Sequence, residues 1–230
     1  MSTPGVSREQ ICGLVLAGGL GRRMSRDGRG TNKALTPFRG RPMIAHVIDR
    51  LKPQVGQLML NVNQDADQFS QFNLPLIADE VGGFAGPLAG LHAGLTAATT
   101  DWVLTCPCDS PFLPDNLAAS LADAALQEGA DLAVVTTDGR AQPVFTLVRR
   151  DLLSNLADFL SSGGRKIDAW YAPLKVASVA FADSAAFRNI NTPEDLARFE
   201  SVPQADYRET NSPETANYET ANRKTDTPND

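Results

Sequence analysis

Apolar positions fall along the chain in two rhythms. Residues 11–17 form a continuous apolar run, as expected of a strand covered on both faces. Over 42–52, Met43, Ile44, Val47, Ile48 and Leu51 recur at helical spacing, and Pro42 suits a first helical turn. The spacing predicts strands over 57–62, 74–78, 102–105, 130–136, 144–148 and 176–181. It predicts helices over 88–98, 117–127 and 151–160. A last helix opens at Thr192-Pro193-Glu194-Asp195: Thr192 can cap it, Pro193 fits the first helical position, and Asp195 stands where a capping-box acid belongs. Strands alternating with helices predict an α/β fold, a mostly parallel sheet with helices on both faces. Ligands of such sheets bind beyond the carboxyl ends of the strands.

From about Ser201 the rhythm stops. Glu-Thr-Ala-Asn stands at 214–217 and again at 219–222, in a stretch rich in Thr, Asn, Pro and Glu and poor in aliphatics. Such a segment cannot bury enough apolar surface to offset the entropy of ordering. The organisation expected is a polar N-terminal segment (1–10), one domain (11–200) and a disordered low-complexity tail (201–230).

Composition narrows the function class. With 42% hydrophobic and 21% charged residues the chain is an ordinary globular sequence, and 230 residues suffice for one sizeable core. A net charge of −6 argues against a general nucleic-acid or membrane-surface binder. Half of that excess lies in the tail, so a local basic cradle is still allowed. Three cysteines make no disulfide framework, and Cys106 and Cys108 are too close for a usual zinc knuckle. All three read as buried thiols. Residues 1–10 lack an apolar core and no run approaches a membrane span, so a cytoplasmic location is expected.

The densest chemistry follows the first strand. Leu16-Ala17-Gly18-Gly19-Leu20-Gly21-Arg22-Arg23-Met24 turns on three glycines and two arginines, with Lys33 beyond. Exposed backbone N–H groups in such a turn make an anion-binding concavity, and arginine adds bidentate charge. A Walker loop would end in Gly-Lys-Ser/Thr, and a dinucleotide fingerprint would place a third glycine at 24; neither pattern is present. The stretch reads as a polyphosphate cradle, against the plainer alternative of a strand-to-helix turn.

The second stretch, Thr105-Cys106-Pro107-Cys108-Asp109-Ser110-Pro111, ends an apolar strand in an acid between two prolines. A carboxylate fixed there can hold Mg²⁺, which keeps waters and substrate phosphates as its other ligands. An Asx-type turn is the alternative. Asn61 ends the second strand and could read a base edge, or serve only as a turn residue. Asp79, ending a short strand, could bond a ribose hydroxyl. Gly86-Pro87-Leu88-Ala89-Gly90 opens a helix whose N–H groups could meet an anion. Gly163-Gly164-Arg165-Lys166 offers a basic turn for a second phosphate-bearing ligand, or a left-handed helix stop with solvated charges. His46 and His92 face no evident nucleophile, so no Ser-His-Asp triad and no histidine metal site are expected.

Taken in order, these landmarks resemble the glycosyltransferase-A-type nucleotidyltransferases, and among them the molybdenum cofactor guanylyltransferases (the MobA family), over residues 11–199. Asn61-Val62-Asn63 and Asn189-Ile190-Asn191-Thr192-Pro193 complete the set. Related cytidylyltransferases show Asp-x-Asp-Thr-Pro where this chain has Asn189 and Asn191; the guanylyl branch carries the asparagines. The family commonly has Arg-Met-Gly-Gly and a short run to the lysine, whereas this chain has a longer loop from Ser25 to Asn32.

The resemblance implies a three-layer Rossmann-like nucleotidyltransferase fold with a mostly parallel mixed sheet. It implies that Leu16, Ala17, Gly18, Gly19, Lys33, Asn61, Asp79 and Asp109 contact GTP. It implies Mg²⁺ (or Mn²⁺ in its place) on Asp109, with Arg23 and Lys33 acting beside Asp109 in catalysis. Gly86, Gly90, Arg165, Lys166, Asn189 and Asn191 are expected to shape the pocket or serve the pterin side. The implied reaction is attack by the terminal phosphate of molybdenum–molybdopterin on the α-phosphorus of GTP, releasing pyrophosphate, with transient contact to cofactor-inserting or molybdoenzyme chaperone proteins. A cytidylyl- or sugar-phosphate transferase of the same fold, or a non-catalytic cofactor-delivery module, are the alternatives.

Overall fold

The computed structural model describes residues 5–19, 32–80 and 86–201. Residues 202–230 of the predicted tail, residues 1–4 of the N-terminal segment, and residues 20–31, which include Leu20 to Met24 of the glycine stretch and most of the longer loop after it, lie outside the described residues.

The chain runs β1 (Ile11–Leu16), β2 (Pro37–Phe38), β3 (Arg41–Pro42), α1 (Met43–Leu51), β4 (Gln57–Asn61), α2 (Ala66–Phe69), β5 (Leu76–Ile77) and α3 (Pro87–Ala97). It continues through β6 (Trp102–Pro107), α4 (Leu117–Glu128), β7 (Leu132–Thr137), β8 (Arg140–Arg149), α5 (Leu153–Ser161), α6 (Ile167–Tyr171), β9 (Val176–Ala180) and α7 (Pro193–Glu200). Every strand and helix expected from the apolar rhythm is present, with ends moved by a few residues.

Seven strands form one sheet in the order β5-β4-β1-β6-β8-β7-β9. β1 pairs in parallel with both β4 and β6, β4 with β5, and β7 with β9, whereas β8 runs antiparallel to β6 and β7. The sheet is therefore mostly parallel and mixed through one strand, as expected. The cause is local: Asp138 and Gly139 both take positive φ (50° and 71°), the two-residue turn that folds a strand straight back.

Along β1, side chains alternate between two cores. Ile11 and Val15 join one cluster with α1 (Ile44, Val47, Leu51) and α4 (Leu117, Leu121). Cys12 and Leu14 join the other with α3 (Leu88, Leu91, Leu95), α5 (Leu156, Leu160) and Trp170. Helices thus cover both faces in three layers. A third cluster, of Phe38, Met43, Phe112, Ile190 and Phe199, binds α7 to the small β2–β3 hairpin. It draws the segment before α7 across the sheet edge, where the Ile190 N–H donates to the Asp109 carbonyl at 2.9 Å.

Candidate active site

The carboxyl ends of β5, β4, β1 and β6 lie side by side, and each delivers a residue singled out in the sequence. Strands sit about 4.8 Å apart, so β5 and β6 are separated by about 14 Å. That distance is long enough to part a nucleobase from its phosphates. β1 lies where the connections switch direction, the crevice in which open α/β sheets take their ligands.

On the β6 side, Asp109 follows the strand after Pro107 and Cys108. Pro107 lacks an N–H, and β6 has left its β8 partner after Thr105, so no ladder bond is lost. The Cys108 N–H donates to the Leu16 carbonyl at 3.1 Å, tying the acid's segment to β1. Lys33 Nζ donates to Asp109 Oδ2 and, at 2.5 Å, to Asn191 Oδ1. The Lys33 and Asp109 side chains are only 15% and 13% exposed. Asp109 Oδ1 is buried and has no hydrogen-bond partner. A buried carboxylate oxygen left bare is costly unless something binds it, and a hard divalent cation needing one or two carboxylates matches it. Among the described residues no group of three or more His, Cys, Asp or Glu gathers into a metal cage.

Asn191 reaches Lys33 because the predicted cap forms. Thr192 Oγ1 accepts from the Asp195 N–H at 3.1 Å, and Asp195 Oδ2 accepts from the Asn191 and Thr192 N–H groups at 3.0 Å each. Asn189, two residues earlier, accepts from Ser110 Oγ at 2.6 Å. The two asparagines therefore brace the residue after Asp109 and the lysine bonded to it.

On the β5 side, Asp79 is half-buried. Asn61 Nδ2 donates to Asp79 Oδ1 and Asn63 Nδ2 donates to Asp79 Oδ2, both at 2.8 Å. Asn61 is 3% exposed, so it stands behind Asp79 rather than reading a ligand with a free amide. Gly90 of α3 lies against it: a Cβ there would meet Asn61 Oδ1 and Leu16 Cδ2 at 2.6 Å each. Gly86, at the N-cap of α3, has φ +60° and nothing within 4 Å of a would-be Cβ, so its need is conformational. Ala17 is buried and tied to β4 through its N–H, which donates to the Asn61 carbonyl at 2.9 Å, while Gly19 is exposed.

Beyond Asp109, away from β1, a cleft of about 590 Å³ opens, lined among others by Thr137, Arg140, Gln142, Arg188, Asn189 and Asn191. Arg165 and Lys166 do not line it. Gly163 (φ +93°) ends α5, and the Arg165 guanidinium donates back to the Leu160 and Gly164 carbonyls at 2.9 and 2.6 Å. Both basic residues are exposed. This is the helix-stop alternative, with the Arg165 cation at the last carbonyls. Arg23 lies outside the described residues.

The sequence reading gave Arg140, Gln142 and Arg188 no part, and named Asn63 only within the Asn61-Val62-Asn63 landmark, with no role of its own. The first three come from strand and loop positions whose grouping depends on the fold. Asn63 had a legible cue: it stands two residues from Asn61, a spacing that puts both amides on one face.

The cysteines stay out of this chemistry. All three are free and buried, and burial pushes the thiols of Cys12 and Cys108 up to about 12 and raises that of Cys106 as well.

A family model described as a MobA-like NTP transferase domain matches residues 13–176. A protein of Cupriavidus necator named molybdenum cofactor guanylyltransferase is 49% identical over 201 residues, covering 85% of this chain and 99% of that protein. One of the same name from Acidovorax ebreus is 43% identical over 211 residues, covering 86% and 98%. Among solved structures, molybdopterin-guanine dinucleotide biosynthesis protein A of Archaeoglobus fulgidus superposes with a TM-score of 0.68 at 24% identity, covering 82% of this chain and 96% of that one. The fold extends to a 4-diphosphocytidyl-2C-methyl-D-erythritol synthase of Anaerococcus prevotii, with a TM-score of 0.62 at 15% identity and coverage of 83% and 97%.

Proposed function

The chain belongs to the MobA-like NTP transferase family, and from that premise we propose that it transfers GMP from GTP to the terminal phosphate of molybdenum–molybdopterin, releasing pyrophosphate. The observation that carries the reading is the cluster of Lys33, Asp109 and Asn191 at the β1–β6 edge, with one bare carboxylate oxygen.

GTP lies across the strand ends. Its guanine meets Asp79, in place of the ribose contact that the sequence suggested for that residue, and its phosphates extend past Gly18 toward Lys33 and Asp109. Each Asp79 oxygen keeps a lone pair beyond its asparagine bond. Guanine alone among the common bases presents two adjacent donors, N1–H and the 2-amino group, on one edge, and a carboxylate accepts both. The attacking phosphate is already anionic at neutral pH, so no strong general base is required. The difficulty is electrostatic, since two anions meet and charge grows on the departing pyrophosphate. Lys33 supplies fixed positive charge there, and Asn191 holds the ammonium in place. Asp109 Oδ1, with substrate phosphates, would hold Mg²⁺, which when bound neutralises phosphate charge. Arg23 is assigned to the same phosphates from the sequence. The cleft with Arg140 and Arg188 takes the phosphate-bearing pterin.

The test is a set of melting curves with Mg²⁺ and each of GTP, CTP and ATP, followed by turnover with purified cofactor. Stabilisation by GTP alone and release of pyrophosphate are expected. Equal stabilisation by CTP points to a cytidylyl enzyme. Binding of the pterin with no nucleotide effect points to a delivery module.

A further inference from the structure

We propose that Asn63 is a positioning residue for base selection, holding the Asp79 carboxylate in the orientation that accepts guanine. The inference rests on the GTP reading above and extends it to a residue not in contact with the base. Three bonds carry it. Asn63 Nδ2 donates to Asp79 Oδ2 at 2.8 Å, Asn63 Oδ1 accepts from the Asp79 N–H at 2.8 Å, and Nδ2 also lies 3.4 Å from the Gly18 carbonyl. The side-chain amide thus grips Asp79 at two points, one on its backbone and one on its carboxylate. Its orientation follows from chemistry, because a carboxylate only accepts and an N–H only donates.

Asn63 is exposed, and an exposed amide can satisfy itself with water. Here both of its polar atoms bond to the site instead. Asn61 anchors the other carboxylate oxygen from beneath, so the two amides clamp one oxygen each. The remaining lone pairs point where neither amide lies. The first loop is fitted to the same side chain: a Cβ on Gly18 would stand 2.4 Å from Asn63 Nδ2 and 3.1 Å from Asn61 Oδ1. Asn63 therefore couples the phosphate-side turn to the base-side acid. A free aspartate at the end of a two-residue strand would rotate about its side-chain bonds and accept one donor as well as two. Held at both oxygens, it favours a ligand with two donors at fixed spacing.

The experiment is calorimetric titration of the full chain with GTP, ITP, 2′-deoxy-GTP and CTP in Mg²⁺, for wild type, Asn63→Ala, Asp79→Asn and the double variant. ITP lacks only the 2-amino group. Wild type is expected to prefer GTP over ITP. In Asn63→Ala, GTP binding weakens about tenfold, the size expected for loosening a charge-assisted hydrogen bond, and the preference over ITP falls toward one. The preference over 2′-deoxy-GTP stays unchanged. In the Asp79→Asn background the same substitution changes the GTP-to-ITP ratio less than twofold, because Asn63 acts through Asp79. Ratios measured within one preparation do not depend on the folded fraction. Equal weakening of GTP and ITP overturns the proposal, as does a changed 2′-deoxy-GTP preference with the ITP preference intact. A wild-type protein that binds CTP as tightly as GTP overturns the GTP reading itself.

Discussion

Asp109→Asn removes the central charge of the site while keeping its shape. Lys33 and Asp109 are mostly out of water, at 15% and 13% side-chain exposure. Stripping one partner from a buried ion pair typically costs about 3–5 kcal/mol, because the other charge is stranded. Lys33 is not stranded here, since Asn191 Oδ1 still accepts from it and the new amide offers one oxygen. Charge assistance is what disappears, so the loss should be about 1–2 kcal/mol. For a chain of this length that lowers the melting temperature by about 2–8 °C and leaves the protein folded. The rate effect is larger. Losing one preorganised electrostatic group costs on the order of 10²–10³ in turnover, or about 2.7–4 kcal/mol. The buried oxygen without a partner goes too, so stabilisation by Mg²⁺ should vanish with the activity. The assay is pyrophosphate release with GTP, Mg²⁺ and purified cofactor, beside melting curves with and without Mg²⁺. Turnover within tenfold of wild type, or a Mg²⁺ shift of wild-type size, refutes the role given to Asp109.

Gly90→Ala places a methyl 2.6 Å from Asn61 Oδ1 and Leu16 Cδ2, so about 1–3 kcal/mol of stability should be lost and GTP binding weakened with it, measured by denaturant melts and titration. Thr192→Ala removes the N-cap acceptor of α7 and should cost about 1 kcal/mol, a fall of about 2–4 °C in melting temperature; an unchanged melt rejects the cap's contribution. The three thiols should be unreactive toward a thiol-specific reagent at pH 8 in the native protein and all react after unfolding. With Cys12 and Cys108 pushed up to about 12 by burial, almost no thiolate is present at that pH, and raising the pH toward 12 should increase reactivity.

The long elements were legible because their cause is local. Helix α1 was readable from five apolar residues at helical spacing, and α7 from a capping box whose two residues, Thr192 and Asp195, bond to each other as expected. Shorter elements were not. The β2–β3 hairpin has two residues a side and turns on Arg39 and Gly40, both at positive φ, too little pattern for periodicity to register. β6 runs on to Pro107 because β1 pairs with it as far as Leu16, a partner that local propensity does not see.

The same division holds at the site. Sequence alone determined the inventory: the glycine turn, Lys33, the asparagine pairs, Asp79 and the proline-flanked Asp109. It also determined the α/β class, since strand and helix periodicities arise within a few residues of chain. Only the tertiary structure decided which of these meet. Lys33 and Asn191 are 158 residues apart and bond to each other, and Asn63 and Asp79 close a clamp across two strands. Arg165 turns back onto its own helix instead of joining the cleft. Side-chain chemistry is a property of each residue, but a site requires distances, and these are set by strand order and core packing that couple residues far apart in the chain.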